Sequence, residues 1–105
     1  METWLQFSAH ALLRMAQRGI SSQEIEYVCA HGRRFHCGGS VHCFLGKKDI
    51  PETDRNDARI RQLEGTTVLL DRETRSIVLT VYRNKNAPRK IKRKTKYYFD
   101  RPAWG

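Results

Sequence analysis

The first segment of the chain that could do chemistry places a histidine beside two arginines. His10, Arg14 and Arg18 recur at four-residue intervals, so on a helix their side chains project from neighbouring turns of one face. A histidine can move the proton of an RNA 2′-hydroxyl or of the leaving oxygen, and arginines can stabilise the charge that builds on the phosphate. The same spacing is typical of a polar helix face turned to water. The residues alone therefore leave catalysis and simple solvation open.

Six side chains that zinc accepts as ligands fall in a short central stretch. They are Cys29, His31, His36, Cys37, His42 and Cys43. No pair has the C-x-x-C spacing of common zinc sites, and neighbours along a strand point to opposite faces. Small buried cysteines and exposed histidines explain the pattern better than a metal site, and nothing fixes a base beside a thiol. We predict no metal and no cofactor, with a zinc-stabilised protein as the lesser alternative.

The strongest functional signal is a run of cations that follows Tyr82. It consists of Arg83, Lys85, Arg89, Lys90, Lys92, Arg93, Lys94 and Lys96, with no acid before Asp100. Closely spaced cations gain affinity for a phosphate chain by releasing its counterions. A solvated tail is the alternative, and no apolar stripe accompanies the charge as a membrane surface would require. We predict that this segment binds nucleic acid, most simply RNA, and not a membrane.

Composition sets the frame for these residues. The 105 residues carry a formal net charge of +9, which points to a polyanionic partner. This length fits one domain, residues 1–105, with a core over 7–83 and a basic tail with an aromatic end over 84–105. Because we find no leader or apolar span and an odd number of cysteines, we expect a cytoplasmic protein with reduced thiols.

Two helices are expected to position the histidine and the first arginines. Ser8 can cap a helix that runs to Arg18 and ends at Gly19. Ser21 and Glu24 have the spacing of a capping box and start a second helix that ends at His31 before Gly32. At 100° per residue the side of the first helix that should face the core carries Ala9, Leu12, Met15 and Ala16.

Strands dominate the rest of the chain. Residues 34–37 and 41–45 predict one hairpin across a Gly-Gly-Ser turn, and residues 66–70 and 76–82 predict a second. Residues 46–65 contain only three large apolar anchors, Ile50, Ile60 and Leu63, so we expect an irregular loop with one short helix or strand. Two helices followed by antiparallel strands predict an α+β fold, and Thr80, Tyr82 and Arg83 end its most apolar strand.

Several short motifs resemble a known family. The chain reads FSAHA at 7–11, RM at 14–15, RGIS at 18–21, FLG at 44–46 and LTVYR at 79–83. Together these motifs resemble the family called domain of unknown function 4258 over about residues 7–83. That family is similar to the RelE-like and barnase, EndoU and colicin ribonuclease superfamily, in which N-terminal helices pack on a curved antiparallel sheet.

The resemblance implies a function for the candidate residues. It implies a metal-independent endoribonuclease, the toxin of a toxin–antitoxin pair, with an acidic antitoxin protein as a second partner beside RNA. The implied catalytic set is His10 as acid or base, Arg14 and Arg18 as phosphate ligands, and Thr80 and Tyr82 nearby. The alternative is a non-catalytic nucleic-acid-binding module or a component of a larger complex, because a shared fold does not establish chemistry.

Overall fold

The structure, a computed structural model, describes residues 4–83. The elements are β1 (Gln6–Phe7), α1 (Ala9–Arg18), α2 (Ser22–His31), β2 (Arg33–Cys37), β3 (Ser40–Phe44), α3 (Ala58–Arg61), β4 (Thr66–Asp71) and β5 (Ile77–Arg83). Helices followed by a five-stranded sheet confirm the α+β prediction. Over the described part of the chain, no helix combines the length and apolar character that crossing a membrane requires.

The strand order is β1-β5-β4-β3-β2, and one strand in it was not predicted. The hairpins β2–β3 and β4–β5 are antiparallel, as expected, and β3 joins them by pairing with β4. β1 pairs parallel to β5, with Gln6 opposite Ile77 and Phe7 opposite Val78. The sheet is therefore mixed instead of purely antiparallel. A two-residue strand is too short to show the period of two that reveals strands in a sequence.

The predicted helix boundaries are confirmed by their caps. The hydroxyl of Ser8 accepts a hydrogen bond from the Ala11 N–H at 3.0 Å, and Gly19 ends α1 in the left-handed region at φ 65°. Ser21 and Glu24 form the reciprocal capping box: the Ser21 N–H donates to the Glu24 carboxylate at 2.8 Å, and the Glu24 N–H donates to the Ser21 hydroxyl at 3.2 Å. These bonds satisfy N–H groups that a helix start otherwise leaves unpaired.

The face that α1 buries differs in part from the prediction: Met15 is buried as expected, whereas Ala9, Leu12 and Ala16 are exposed. Its buried residues are Ala11 and Met15, whereas Leu12 and Leu13 are 53% and 55% exposed. The reason is the close attachment of the helix start to β5, where the Ser8 hydroxyl donates to the Leu79 carbonyl at 2.8 Å. The helix lies so close to the sheet that the small side chain of Ala11 fits between them where a leucine would not. Packing therefore overrides the face that the spacing of the large apolar residues predicts.

Gly32 ends α2, but not in the left-handed conformation that commonly stops a helix. Its φ is −73°, which any residue adopts. Glycine is required for space: a Cβ here would lie 2.6 Å from the Val28 carbonyl oxygen and 2.7 Å from the Phe44 carbonyl oxygen. The turn from α2 into β2 thus lets two backbone segments approach more closely than a side chain permits.

Residues 46–65 form an ordered connection of short helical turns. Two 3₁₀ turns, Lys47–Asp49 and Glu52–Asp54, precede α3. The predicted anchors hold this connection to the core, because Ile50 and Leu63 are buried and Ile60 packs against the same cluster. The prediction of an irregular loop with one short helix is therefore close to the observed structure.

The two faces of the sheet have different surroundings. The face that packs on α1 and α2 carries the rows Arg34–Cys43–Val68–Val81 and His36–Val41–Leu70–Val78. The opposite face carries the rows Arg33–Phe44–Thr67–Tyr82 and Phe35–His42–Leu69–Thr80. A second, smaller cluster forms there around Cys37 and Phe44. We call the first the helix face and the second the aromatic face.

Candidate phosphate-binding site

A cavity of about 430 Å³ opens where the end of α1, the start of α2, α3 and the sheet meet. Three arginines from separate elements line it: Arg18 from the last turn of α1, Arg59 from α3 and Arg83 from the end of β5. Gln17 and Gln62 add amide groups, and Glu24 is the one carboxylate among the lining residues that the structure describes. Three guanidinium groups against one carboxylate make this cavity, which we call the arginine cavity, suited to a phosphate group.

Arg59 is held in place by the capping box of α2. Its Nη2 donates to Glu24 Oε1 at 2.9 Å and to the Gly19 carbonyl at 2.7 Å, and its Nε pairs with Glu24 Oε2. Burial by itself raises the pKa of the Glu24 carboxyl, but the hydrogen bonds from Arg59 and the Ser21 N–H outweigh burial and leave the pKa below its ordinary value. Glu24 is therefore ionised at neutral pH and is engaged in fixing Arg59.

Arg83 and Arg18 keep donors available for a ligand. The Nε of Arg83 donates to the Glu64 carbonyl at 3.1 Å, which orients the side chain, and its two terminal nitrogens make no hydrogen bond to the described residues. The side chain of Arg18 makes no hydrogen bond or ion pair within residues 4–83. An arginine fixed at one nitrogen can still offer its outer edge to two phosphate oxygens.

A chain of side chains along α1 connects His10 to the arginine cavity. Arg14 Nε lies 3.5 Å from His10 Nε2, and Arg14 Nη1 donates to Gln17 Oε1 at 3.3 Å. Gln17 in turn lines the cavity. The structure thus brings the predicted residues of α1 together in one surface.

Thr80 and Tyr82 are not part of this surface. Val81 belongs to the core under α1, so the alternation of β5 directs its two neighbours to the aromatic face. Tyr82 packs there beside Phe44, and burial raises the pKa of its hydroxyl. Their neighbour Arg83 points to the helix face, opposite Thr66, and lines the cavity. The sheet separates the two groups.

The six cysteine and histidine residues are also divided by the sheet. Cys29 and Cys43 are buried on the helix face, whereas Cys37 and His42 are on the aromatic face. The Cys29 thiol hydrogen-bonds to the Cys43 thiol, and this contact together with burial raises the pKa of Cys29. Among residues 4–83, no three His, Cys, Asp or Glu side chains are grouped so that they could hold a metal ion.

The remaining predicted nucleic-acid ligands lie outside the described residues. They are Lys85, Arg89, Lys90, Lys92, Arg93, Lys94 and Lys96. Arg83, the first cation of that run, is described and lines the cavity. The chain therefore enters its basic segment directly from the candidate site.

Sequence reasoning missed Arg59, Gln17 and Glu24 as members of the site. Glu24 was recognised only as a capping residue, and Arg59 stands in a segment with many charges and no period. The hydrogen bond from Arg59 to Gly19 joins residues 40 positions apart. Nothing in the sequence pairs Glu24 with α3.

Comparison with known proteins identifies the family. The model of the domain of unknown function DUF4258 matches residues 7–83. The chain belongs to the DUF4258 family. The match ends at Arg83, the last residue of β5, so it contains His10, the arginine cavity and all five strands except the first residue of β1. No curated protein and no solved structure matched the chain.

Proposed function

We propose that this DUF4258 protein binds RNA through its phosphate backbone and cleaves it without a metal ion. The observation that carries the proposal is the convergence of Arg18, Arg59 and Arg83 on one cavity. Three elements distant in sequence contribute one guanidinium each, and two of the three are oriented by hydrogen bonds to the protein. Donors fixed in advance bind an anion with less loss of side-chain freedom than mobile ones.

His10 is the group that would move a proton in the cleavage step. The 2′-oxygen of the ribose attacks the adjacent phosphorus, the bond from phosphorus to the 5′-oxygen breaks, and a cyclic phosphate and a 5′-hydroxyl result. His10 takes the proton of the 2′-hydroxyl or supplies one to the leaving 5′-oxygen. Arg14 and Arg18 offset the negative charge that develops on the phosphate oxygens.

Kinship with RelE-like ribonucleases and a role as the toxin of a toxin–antitoxin pair belong to the same proposal. Helices packed on one face of a sheet are the layout that this kinship requires. Leu12 and Leu13 are exposed on the helix that also carries Arg14 and Arg18, so an acidic antitoxin could cover apolar and cationic groups together. The test is complex formation with an acidic protein encoded beside this one, which Leu12→Glu with Leu13→Glu should abolish.

A second candidate function is RNA binding without cleavage, and one observation favours it. Thr80 and Tyr82, expected to assist His10, lie across the sheet from α1, and Glu24 is occupied by Arg59. His10 is then the one acid–base group of the candidate site within residues 4–83 that is not committed to an ion pair. A binding module, or a component of a larger complex, needs only the arginines.

The deciding experiment measures binding and cleavage on the same proteins. Wild type, His10→Ala and Arg18→Ala with Arg83→Ala are incubated with labelled single-stranded RNA in the presence of a chelator. We expect His10→Ala to retain binding and lose cleavage by about 100-fold, and the arginine variant to lose both. Arg72→Ala with Arg75→Ala removes two charges from the exposed turn between β4 and β5 and is the control for net charge.

Each outcome selects one reading. Equal cleavage by wild type and His10→Ala removes the catalytic assignment, and binding without any cleavage by wild type supports the binding module. Unchanged binding by the arginine variant removes the cavity from the proposal. Truncation after Asn84 should weaken RNA binding and its salt dependence under either function, because it removes the cations of the tail.

A further inference from the structure

A second cavity, of about 290 Å³, is lined by Glu64 and Gly65, whose chain neighbours Leu63 and Thr66 line the arginine cavity. Its cationic side chains are Arg33 from the start of β2 and Lys47 and Lys48 from the first 3₁₀ turn. None of them belongs to the basic segment or to the α1 surface. We call it the lysine cavity.

Three neighbouring groups, one carboxylate and two aromatic rings, orient the guanidinium of Arg33 in this cavity. Its Nε donates to the Asp49 carboxylate at 3.1 Å, and its guanidinium carbon lies 5.6 Å from the centre of the Phe44 ring and 6.0 Å from that of Phe35. Gly46 leaves the space for this arrangement, since a Cβ there would be 2.9 Å from Nη2 of Arg33. Stacking on aromatic rings orients a guanidinium while its outer edge remains able to donate.

The charges of the lysine cavity leave one positive charge in excess. Arg33, Lys47 and Lys48 face two carboxylates, Asp49 and Glu64. Asp49 is occupied, because it pairs with Arg33 and also accepts from the Gly46 N–H at 2.8 Å. One excess positive charge matches the single negative charge of a phosphodiester, and ammonium groups of lysine bind phosphate as point charges.

The two cavities share a wall that is rigidly attached to the sheet. The Glu64 carbonyl accepts from Arg83 of the arginine cavity at 3.1 Å, while Glu64 and Gly65 line the lysine cavity. The Gly65 N–H donates to the Leu45 carbonyl at 2.7 Å, and the Leu45 N–H donates to the Thr66 carbonyl at 3.0 Å. The backbone between the two cavities is therefore attached to the sheet by hydrogen bonds.

We propose that the lysine cavity binds a second phosphate of the same RNA strand, which crosses the Glu64–Gly65 wall between the two cavities. This proposal rests on the proposed RNA binding. It adds the path of the RNA strand across the protein and the residues that set the length of RNA required. A strand long enough to reach both cavities gains the contacts of the second, whereas a very short strand does not.

The test compares two lengths of fluorescently labelled oligouridylate with 2′-O-methyl groups, which cannot be cleaved by 2′-oxygen attack. Kd is measured by anisotropy for the full-length chain. Lys47→Ala with Lys48→Ala should raise the Kd of a strand of about twelve nucleotides by about ten-fold and reduce the slope of log K against log salt by about 0.7. The Kd of a strand of about four nucleotides should change less than about two-fold.

Two further variants separate a local site from net charge. Arg72→Ala with Arg75→Ala removes the same charge from the exposed turn between β4 and β5 and should leave the Kd of the longer strand within about two-fold. Gly46→Ala keeps every charge but displaces Arg33, and should weaken the longer strand by about five-fold. Circular dichroism confirms that each variant is folded before its Kd is compared.

Different results would refute the lysine cavity and the proposed RNA binding. If Arg18→Ala with Arg83→Ala weakens binding and the lysine variant does not, the lysine cavity is overturned and RNA binding stands. The lysine cavity is also overturned if the lysine variant weakens binding of the shorter strand as much as binding of the longer one. The same holds if the turn control weakens binding of the longer strand as much as the lysine variant does. If wild type binds neither length, RNA binding and the second site are both refuted.

Discussion

The helix face and the aromatic face of the sheet are built from the same strands, yet they carry different groups. On the helix face the strands bury Val68, Leu70, Val78 and Val81 under α1 and α2, and Arg83 ends the last strand at the arginine cavity. On the aromatic face Tyr82 packs beside Phe44 in a smaller cluster. Residues adjacent in sequence are thereby separated by the thickness of the sheet.

This difference explains why the sequence motif around β5 does not form one site. Thr80, Tyr82 and Arg83 are neighbours in the chain, but only Arg83 reaches the surface that carries His10. A strand directs alternate side chains to opposite faces. Helix residues four positions apart, such as His10 and Arg14, therefore share one face and can form one site. Adjacent residues of a strand point to opposite faces and do not share a site.

The largest effect should come from truncating the two adjacent leucines of β4. Leu70 is fully buried in the core under the helices, whereas Leu69 is half-buried on the aromatic face. We expect Leu70→Ala to lower the free energy of unfolding by about 3 kcal/mol and Leu69→Ala by about 1 kcal/mol. Urea denaturation of both variants measures the difference, and equal losses would show that the two faces are buried alike.

A smaller effect is expected from the loss of the ion pair between Glu24 and Arg59 beside the helix face. Glu24→Gln removes the ion pair with Arg59 and should cost about 1 kcal/mol near neutral pH. Because the folded pKa of Glu24 lies below its ordinary value of 4.5, its stabilisation is complete above that value and is lost as pH falls through the folded pKa. The unfolding free energies of wild type and variant should converge as the pH falls below 4.5 and Glu24 becomes protonated; a constant difference down to acid would contradict this assignment.

The smallest effect is expected for the hydroxyl groups of Thr80 and Tyr82 on the aromatic face. Thr80→Ala and Tyr82→Phe should change RNA cleavage and Kd by less than about two-fold, because both side chains lie across the sheet from His10 and the arginine cavity. Cleavage assays beside His10→Ala measure this directly. A loss comparable with that of His10→Ala would place the reacting RNA on the aromatic face and reverse the comparison.

Local signals predicted most of the fold. Ser8 and Gly19 bounded α1, and Ser21 with Glu24 started α2, because caps depend on groups within one helical turn. Both hairpins followed from period and turn residues. The parallel strand β1 and the orientation of α1 could not be predicted, since each depends on pairing with β5, about 70 residues away, as in the hydrogen bond from Ser8 to Leu79 that spans 71 positions.

The sequence by itself determined the α+β layout, the helix boundaries and the cationic character of the protein, because propensity, capping and charge are properties of short segments. It also placed His10, Arg14 and Arg18 on one helical surface. Only the tertiary structure decided that Arg18, Arg59 and Arg83 converge on one cavity, that Leu12 and Leu13 face solvent, and that Thr80 and Tyr82 belong to the other face. These facts depend on contacts between distant segments, which no local pattern encodes.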